Sequence, residues 1–399
     1  MIFKEKFSQI KKLFNKREHL SNKIFFSISS EGYGHSSRAM AIVSELDKAN
    51  YLIGTYGYAL DRLKAKGIPC HKVSQELKFV GHDGAFDIAK TIVQNQSWVV
   101  KFNKMIDEEV EIIKKSGASC VVADGRMVPV FAADKLKLPC ITITNQSAFY
   151  TFFQQDNWLI KLMGVSFDTW MQIYMSSTEE ILIPDFEPPY TICLPNLSHN
   201  RKIMVRTKFV GPLVNFDYDN VPTILRESKK PYIVVSLGGH AYRRPLFDCI
   251  LEVAKKLPDI DFDIFTFFEA EDISENVNLL GMIPDISPYL KVADIVIAQA
   301  GHSTAMEILS LGKPSIIVPD LNQIEQENNA KRMLELQVSE VISHKNLTVQ
   351  KMYESIQKVM KDDKYKKNAE FFATMSKRMD AKKRVADILS EYSMRLHRY

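Results

Sequence analysis

The sequence predicts an α/β protein of two Rossmann-like domains, each a doubly wound parallel sheet, that face each other across a cleft. Three observations support this prediction. The chain has 399 residues, which is long for one domain. Short apolar runs alternate with helical patterns along both halves, as in parallel sheets covered by helices. The pattern restarts after residues 211–230, whose glycine, prolines and mixed charges are typical of a linker.

The composition narrows the class of protein. With 46% hydrophobic and 25% charged residues, the chain has the composition of an ordinary soluble globular protein, and its net charge of +4 gives no reason to expect nucleic acid as a partner. The five cysteines form no C-x-x-C pair, which disfavours zinc and a disulfide framework and favours a reducing cytoplasm. No apolar run reaches the roughly 18–20 residues of a spanning helix, and no signal peptide is recognised.

Residues 1–22 are predicted to be a separate, basic amphipathic helix. Phe3, Phe7, Ile10 and Phe14 recur at helical spacing, and lysines and arginine occupy much of the remaining surface. One interpretation is a helix lying in an anionic membrane surface, where each nearby basic residue contributes about 1 kcal/mol. The alternative is a helix docked on the protein's own surface.

The first domain is predicted to span residues 23–215. Its strands are expected near 24–28, 51–55, 70–74, 120–123, 140–144, 181–183 and 203–210. Its helices are expected near 36–49 and 58–66, within 86–116, and at 127–137. The aromatic-rich stretch 148–175 is interpreted as a helix packed on this sheet, as the lining of an acceptor groove or as a lipid-facing surface.

Polar side chains follow two predicted strands of this domain. Glu31 and His35 lie in a turn with Gly32 and Gly34, at the carboxyl edge where open α/β sheets bind ligands. The turn lacks the third glycine of a dinucleotide fingerprint. Asp124 ends a later strand, where it could act as an acid or base or cap the helix that follows.

The second domain is predicted to span residues 216–362, and residues 363–399 to form a helix that crosses back to the first domain. Strands are expected near 232–237, 261–268, 277–280, 294–298, 315–319 and 338–342. Helices are expected near 244–256, 285–292, 303–312, 325–336 and 364–393.

The densest candidate for a binding site lies at residues 294–330. A strand leads through Gly301 into a helix that Ser303 and Thr304 can cap, and such a helix start offers unpaired N–H groups and a positive dipole end to a phosphate. Glu307, about one turn into the helix, could accept hydrogen bonds from ribose hydroxyls. The alternative is a strand–loop–helix join that binds nothing. A second polar pair follows the next strand, namely Glu325 and Gln326.

These motifs resemble those of GT-B glycosyltransferases related to family 28. That group includes the bacterial peptidoglycan lipid-intermediate N-acetylglucosaminyltransferase and the archaeal and eukaryotic dolichol-linked N-acetylglucosaminyltransferases. The resemblance covers about residues 23–360 and is carried by A-G-H-S-T-A-M-E-I-L-S-L-G-K-P, by Q-x-x-Q-x-x-N-A and by S-E-G-Y-G-H.

The resemblance implies an inverting, metal-independent transfer of a sugar. The basic amphipathic N-terminus and the aromatic stretch 148–175 suggest that the acceptor is lipid-linked, such as a polyprenyl or dolichyl phosphate sugar. The donor would be a UDP-sugar, with N-acetylglucosamine the best guess, and no cofactor is expected. No Asp-x-Asp suited to a divalent ion is recognised, in agreement with this. The enzyme would act in the cytoplasm, peripherally at the inner face of the cell membrane.

The resemblance also implies roles for single residues. The loop from Gly301 would hold the diphosphate, Glu307 the ribose, and the main chain of Ile283 the base. The implied donor-binding residues are Gly238, Gly239, His240, Ile283, Gly301, His302, Ser303, Thr304, Glu307, Glu325 and Gln326. The implied acceptor-binding residues are Gly32, Gly34, His35 and Asn145.

One departure from the family concerns charge. Val214 stands where the peptidoglycan enzyme carries an arginine near the donor phosphate. The phosphate charge would then be met by the helix dipole, His240, His302 or Arg243.

A general base must take the proton of the acceptor hydroxyl. His35 is the first choice, because the ordinary pKa of histidine, about 6.5, suits the task. Asp124 and Glu31 are the alternatives, as the base or as the group that orients His35. Two other functions remain open at this point, a nucleotide-sugar 2-epimerase and a non-catalytic UDP-sugar-binding partner of another transferase.

Overall fold

The computed structural model of the protein describes residues 22–77, 81–82, 85–86, 90, 94–95, 97–148, 158–238 and 243–395. The predictions for residues 1–21, Gly239 and His240 lie outside these ranges, as does the 149–157 part of the aromatic-rich stretch.

The first domain is a seven-stranded parallel sheet with helices on both faces. Its strands are β1 (Lys23–Ile28), β2 (Tyr51–Thr55), β3 (Cys70–Lys72), β6 (Ala118–Asp124), β7 (Cys140–Ile143), β8 (Glu180–Ile183) and β9 (Thr207–Phe209), and a separate two-stranded ladder comprises β4 (Gly81–His82) and β5 (Ala85–Phe86). Its helices are α1 (Gly34–Val43), α2 (Gly57–Ala65), α3 (Trp98–Ser116), α4 (Val128–Leu136), α5 (Trp158–Ser176) and α6 (Arg201–Met204). The strand order is β3-β2-β1-β6-β7-β8-β9.

The second domain repeats this architecture with six parallel strands. They are β10 (Tyr232–Ser236), β11 (Asp261–Phe265), β12 (Val277–Leu279), β13 (Ile295–Ala298), β14 (Ser315–Ile317) and β15 (Ser339–Val341), in the order β12-β11-β10-β13-β14-β15. The helices are α7 (Arg244–Lys255), α8 (Ser287–Val292), α9 (His302–Ser310), α10 (Ile324–Glu335) and α11 (Val349–Lys361), followed by α12 (Asp363–Met379) and α13 (Ala381–Arg395). The predicted fold class, two Rossmann-like domains, is confirmed.

The strand orders locate one crevice in each sheet. After β1 the first sheet grows to one side through β2 and β3 and then to the other through β6, so the order reverses between β1 and β6. The second sheet reverses in the same way between β10 and β13. Ligands of open α/β sheets bind at such switch points, beyond the carboxyl ends of the strands. The loops that begin at Ser29, Gly125, Leu237 and Gln299 therefore border the two crevices.

The chain returns to the first domain at its end, as predicted, but through two helices rather than one. The break lies at Asp380, whose left-handed backbone (φ 43°) ends α12. Helix α12 packs on α9, whereas α13 packs on α1, β1 and β6. Val385 and Leu389 are buried in the core of the first domain, and Tyr392 Oη donates to Glu180 over 2.9 Å.

Several predicted elements differ from those observed. The strand expected near 203–210 is instead the short helix α6 followed by β9, because Asn200 caps a helical turn by accepting from the N–H of Lys202. Helix α9 begins at His302, with Gly301 as N-cap and no side-chain cap, so Ser303 and Thr304 lie in its first turn rather than before it. None of the described helices is long and apolar enough to cross a membrane.

The described part of the aromatic-rich stretch favours the first of its three interpretations. Met171, Tyr174 and Met175 of α5 are buried in the first domain's core, on the same sheet face as α3 and α4. Val165 and Ile173 of the same helix are exposed, at 62% and 54%. Helix α5 is thus a packing helix with one solvent-facing side.

Candidate functional site

The crevice of the first sheet holds a cluster of three charged or titratable side chains, the His35 cluster (His35, Arg38 and Asp124). His35 and Arg38 lie three residues apart on α1 and therefore share a helix face. Asp124 is the last residue of β6 and pairs in register with Ile28 of β1. His35 Nδ1 lies 2.8 Å from Asp124 Oδ1, and the Nε and Nη2 atoms of Arg38 donate to Oδ2 and Oδ1 over 3.1 and 2.6 Å.

The environment of Asp124 favours one of its predicted roles. Burial by itself would raise the pKa of this carboxyl, but the charge of Arg38 and the hydrogen bonds from His35 and Arg38 outweigh it and lower the pKa to about 2. A carboxylate this acidic is a poor base near neutral pH. In the tautomer that carries the proton on Nδ1, His35 donates to the ionised Asp124 and keeps the lone pair of Nε2 for a proton. Arg38 Nη2 also lies 2.9 Å from the same Nδ1. The geometry therefore fits Asp124 as the group that orients His35.

Asp124 does not cap the following helix, contrary to one of the sequence-based alternatives. The N–H groups of Met127 and Val128, at the start of α4, donate to the carboxylate of Glu76 instead, over 2.6 to 3.0 Å. Glu76 lies far away in sequence, so the sequence around the helix could not reveal it.

Glycine at position 125 is required by two features of the cluster. Gly125 has φ +69°, in the left-handed region that residues with a Cβ disfavour. A Cβ there would stand 2.4 Å from Cε1 of His35. The residue after the orienting aspartate is thus kept small so that the imidazole, 22% exposed, can lie over it.

The remaining residues of the first turn line the mouth of the crevice. Gly32 is exposed with φ +76°. The carboxylate of Glu31 accepts a hydrogen bond from Gln75 Nε2 over 2.9 Å. The main-chain N–H of Glu31 donates to Ser29 Oγ. Glu31 thus has hydrogen bonds to Ser29 and Gln75 among its contacts, whereas Asp124 contacts His35. Its predicted catalytic role stays a prediction.

In the second domain, the predicted anion site lies at the start of α9. Ala305 N–H makes the first intrahelical bond, to Gly301, so the N–H groups of His302, Ser303 and Thr304 have no intrahelical partner. The helix dipole adds partial positive charge at the same point. A phosphate is the ligand that such a helix start favours.

Glu307 lies in the same helix, half-buried, and its carboxylate forms no hydrogen bond or ion pair with any residue that the structure describes. Burial, with a smaller contribution from the negative charge of Asp285, raises the pKa of its carboxyl to about 7, against the opposing effect of Arg62. A desolvated carboxylate without a partner is costly unless a ligand supplies donors. The predicted ribose contact would supply them.

Two further polar atoms at this edge are buried without a partner among the described residues. They are Gln299 Nε2, directly after β13, and Gln323 Oε1, at the start of α10. Gln326, in contrast, is engaged within the protein, because its amide pairs with the N–H and Oδ2 of Asp320 over 3.0 and 2.9 Å. A contact of Gln326 with sugar hydroxyls would require this pair to open.

The structure also locates the other predicted donor residues. Gly238 follows β10 with φ +63°, and a Cβ on it would stand 2.5 Å from Arg243 Nη1. Arg243 itself forms a bidentate pair with Asp320 at 3.0 and 2.5 Å, so its charge is already compensated. Ile283 is partly buried beside the second domain's core.

His302 is turned away from the predicted phosphate site. Its imidazole is buried, with Nε2 3.1 Å from Asp185 Oδ2 of the first domain, and Cys193 completes a buried group whose possible ligand atoms lie within 4.8 Å of one another. The Asp185 carboxylate also accepts from the N–H groups of Phe186, Ile192 and Cys193. These hydrogen bonds fix the Asp185 carboxylate and the His302 imidazole, and they leave the main-chain N–H as the part of His302 that can reach a phosphate.

The two crevices face each other and are in contact. Arg38 Nη1 donates to Ser303 Oγ over 3.2 Å, and a Cβ on Gly34 would lie 2.3 Å from the same oxygen. Asn145, after β7, donates to Glu325 Oε1 over 2.7 Å. The predicted acceptor side and the predicted donor side thus meet at two points.

Another contact crosses the cleft near Glu307. Arg62 Nη2 donates to the carbonyl of Pro284 over 3.0 Å, and its Nη1 donates to the hydroxyls of Ser36 and Ser37. Its Nε is buried without a partner among the described residues. Arg62 therefore bridges the first domain to the loop that was predicted to contact the base.

The sequence-based prediction missed Arg38, Arg62 and Asp185. Only Arg38 carries a local signal, because it is the one charged residue in the apolar part of α1 and follows His35 by one helical turn. Arg62 and Asp185 owe their positions to contacts more than 100 residues distant, which a single sequence does not disclose.

Comparisons with known proteins agree with this geometry. The model of the glycosyltransferase family 28 C-terminal domain matches residues 247–390, and that of glycosyl transferase family 1 matches residues 22–163. An uncharacterized glycosyltransferase of Methanosarcina mazei is 32% identical over 378 residues, which cover 92% of this chain and 98% of the relative. The UDP-N-acetylglucosamine–N-acetylmuramyl-(pentapeptide) pyrophosphoryl-undecaprenol N-acetylglucosamine transferase of Caldicellulosiruptor saccharolyticus is 24% identical, with 92% and 97% of the two chains covered.

Solved structures support the fold. The glycotransferase of kitacinnamycin has a TM-score of 0.71 at 15% identity and covers 93% of this chain and 98% of its own. The spinosyn rhamnosyltransferase complexed with thymidine diphosphate has a TM-score of 0.63 at 14% identity, with 92% and 100% covered. The Methanosarcina mazei relative is 32% identical and is covered over 98% of its length. Together with it, these matches identify the chain as a member of the GT-B glycosyltransferases with a family 28 C-terminal domain.

Proposed function

We propose that this glycosyltransferase moves a sugar, N-acetylglucosamine by preference, from a UDP-sugar to a lipid-linked acceptor with inversion at the anomeric carbon and without a resident metal or cofactor. The observation that carries the proposal is the opposition of the His35 cluster to the start of α9, joined by the 3.2 Å contact between Arg38 and Ser303. A base held by one domain thereby faces a diphosphate site held by the other.

The chemistry assigns each domain one half of the reaction. His35 Nε2 takes the proton of the acceptor hydroxyl, while Asp124 holds the imidazole and stabilises its positive charge. The acceptor oxygen bonds to the anomeric carbon as the bond from that carbon to the diphosphate oxygen breaks. The N–H groups of His302, Ser303 and Thr304, which have no intrahelical partner, donate hydrogen bonds to the leaving diphosphate. They thereby stabilise the negative charge that develops on it.

Glu307 and the groups around it fit a nucleotide sugar as the donor. Its desolvated carboxylate suits a ribose diol, and the start of α9 suits the adjoining phosphates. The orphaned amide atoms of Gln299 and Gln323 offer one donor and one acceptor to a sugar. The preference for UDP-N-acetylglucosamine rests on the name of the Caldicellulosiruptor relative.

The acceptor and the location rest on two weaker lines of support. That relative is named for transfer to a pyrophosphoryl-undecaprenol compound. Residues 1–22 of this chain carry the basic amphipathic pattern of a membrane-surface helix. We therefore infer a peripheral position at the inner face of the cell membrane. Flotation of the full chain with liposomes containing anionic lipid, compared with a chain starting at Ser21, tests this: negligible binding by both proteins would refute it.

Release of nucleoside diphosphate tests the transferase proposal itself. The protein is incubated with UDP-N-acetylglucosamine, UDP-glucose or a dTDP-sugar, and with polyprenyl phosphate or diphosphate sugars as acceptors. We expect acceptor-dependent release with one donor and an inverted linkage in the product by NMR. Conversion of the donor to a new sugar without acceptor would favour an epimerase. Binding of UDP without turnover across the panel would favour a non-catalytic partner.

A further inference from the structure

Two helix starts meet across the cleft at Ser303. Helix α1 begins at Gly34, and Ser37 N–H makes its first intrahelical bond, so the N–H groups of Gly34, His35 and Ser36 have no intrahelical partner. Helix α9 begins at His302 on the opposite side. The approach is close, because a Cβ on Gly34 would stand 2.3 Å from Ser303 Oγ. Two positive dipole ends repel each other unless an anion lies between them.

The guanidinium of Arg38 lies at the same point of the cleft. Arg38 uses Nε and Nη2 to bind Asp124, which leaves Nη1 to extend across the cleft to Ser303 Oγ. The guanidinium is held rigidly, because it is 5% exposed and its fork is fixed by a bidentate carboxylate. The other cationic candidates described for the phosphate are committed elsewhere, since Arg243 pairs with Asp320 and His302 with Asp185.

We propose that Arg38 is a further catalytic residue, which donates Nη1 to the leaving diphosphate while its other two nitrogens hold Asp124. The inference rests on the proposed nucleotide-sugar site. Arg38 would supply the positive charge that Val214 does not provide. It lies on the same domain as the base, His35. One guanidinium then links the base, through Asp124, to the leaving group.

The test must separate contact with phosphate from support of Asp124. Arg38→Met alone would leave the buried carboxylate of Asp124 with His35 as a partner but without the guanidinium charge, and loss of one partner of a buried ion pair destabilises proteins strongly. The double variant Arg38→Met/Asp124→Asn removes both charges, and Asp124→Asn alone is its matched reference. Arg38→Lys keeps a charge without the fork, and Arg201→Ala, an exposed arginine of the same domain, is the surface control.

Binding of UDP and of UMP to each protein is measured by titration calorimetry, with dTDP and dTMP as a second pair. We expect Asp124→Asn to keep the wild-type preference for the diphosphate. The double variant should bind UDP about 10- to 100-fold more weakly, the scale of a charge-assisted hydrogen bond, with UMP affinity changed less than threefold. Arg38→Lys should fall between them, and Arg201→Ala should match the wild type.

Two outcomes would overturn the proposal, and they are distinguishable. If the wild type prefers UDP and the double variant keeps the full preference of Asp124→Asn, Arg38 acts only through Asp124. If the wild type binds neither nucleotide pair, the nucleotide-sugar site itself is wrong and the role of Arg38 falls with it. Thermal unfolding of each variant confirms that a folded protein was titrated.

Discussion

Glu307 gives donor binding a pH dependence whose sign and size follow from the structure. Burial and Asp285 raise the pKa of its carboxyl to about 7, so about nine-tenths of the free protein is protonated there at pH 6 and about one-tenth at pH 8. The ionised form is the one that accepts two hydrogen bonds from a ribose diol. We therefore expect the dissociation constant of UDP-N-acetylglucosamine to be about tenfold higher at pH 6 than at pH 8.

Ionisation of Glu307 should lower the stability of the folded protein, although it favours binding of the donor. Its pKa is raised in the folded state, from about 4.5 to about 7, so the folded protein binds more protons than the unfolded chain between these values. The free energy of unfolding falls as pH rises through this window, by up to about 3 kcal/mol. Glu307→Gln removes the buried charge. We expect it to be more stable than the wild type at pH 8 and close to it at pH 5.

Two measurements check this pair of effects. Titration calorimetry with the nucleotide sugar, whose diphosphate diester does not titrate in this range, gives the affinity from pH 6 to pH 8 for the wild type and Glu307→Gln. Thermal unfolding of both proteins without ligand gives the stability. A wild-type affinity that is constant over this range, or a Glu307→Gln variant with the same pH slope, would refute the role assigned to Glu307.

Three further substitutions test other parts of the site and fold. Gly125→Ala should cost about 1–2 kcal/mol through its left-handed backbone and, by displacing His35, lower turnover at least tenfold; wild-type turnover would contradict the close packing seen there. Arg126→Met should lower the free energy of unfolding by about 3–5 kcal/mol in urea, because it leaves Glu109 buried and unpaired, and Arg126→Met/Glu109→Gln should recover most of that loss; equal stability of the two variants would refute this. Asn145→Ala removes a cross-cleft hydrogen bond and should lower kcat/KM about tenfold with little change in the melting temperature; an unchanged kcat/KM would exclude it from the working site.

The fold could be predicted from sequence because its signals are local. Apolar strands such as Ile24–Ile28 and Ile295–Ala298 are buried on both faces, and glycine-containing turns mark their carboxyl ends. The strand expected near 203–210 begins only at Thr207, because Asn200 caps the short helix α6 that precedes it. The single helix predicted for residues 363–399 is divided at Asp380, whose left-handed backbone ends α12, and no glycine at this position signals the break in the sequence.

The candidate site was predictable in part for the same reason. His35, Asp124 and Glu307 each stand beside a strand end or helix start, so their positions follow from the chain order. Their partners do not. The contact of Arg38 with Ser303 joins residues 265 apart, and the pairing of Gln326 with Asp320 depends on the conformation of the loop before α10. The contact between Arg38 and Ser303 forms only when both domains are folded.

The central claim is that His35 is the base of a transfer reaction between the two domains. Turnover of the wild type, His35→Ala and His71→Ala, an exposed histidine of the same domain, is compared with the donor and acceptor that the panel identifies. We predict that His35→Ala loses roughly 100-fold or more in kcat while UDP binding persists, and that His71→Ala matches the wild type. A His35→Ala variant that keeps turnover within threefold of the wild type would contradict the account.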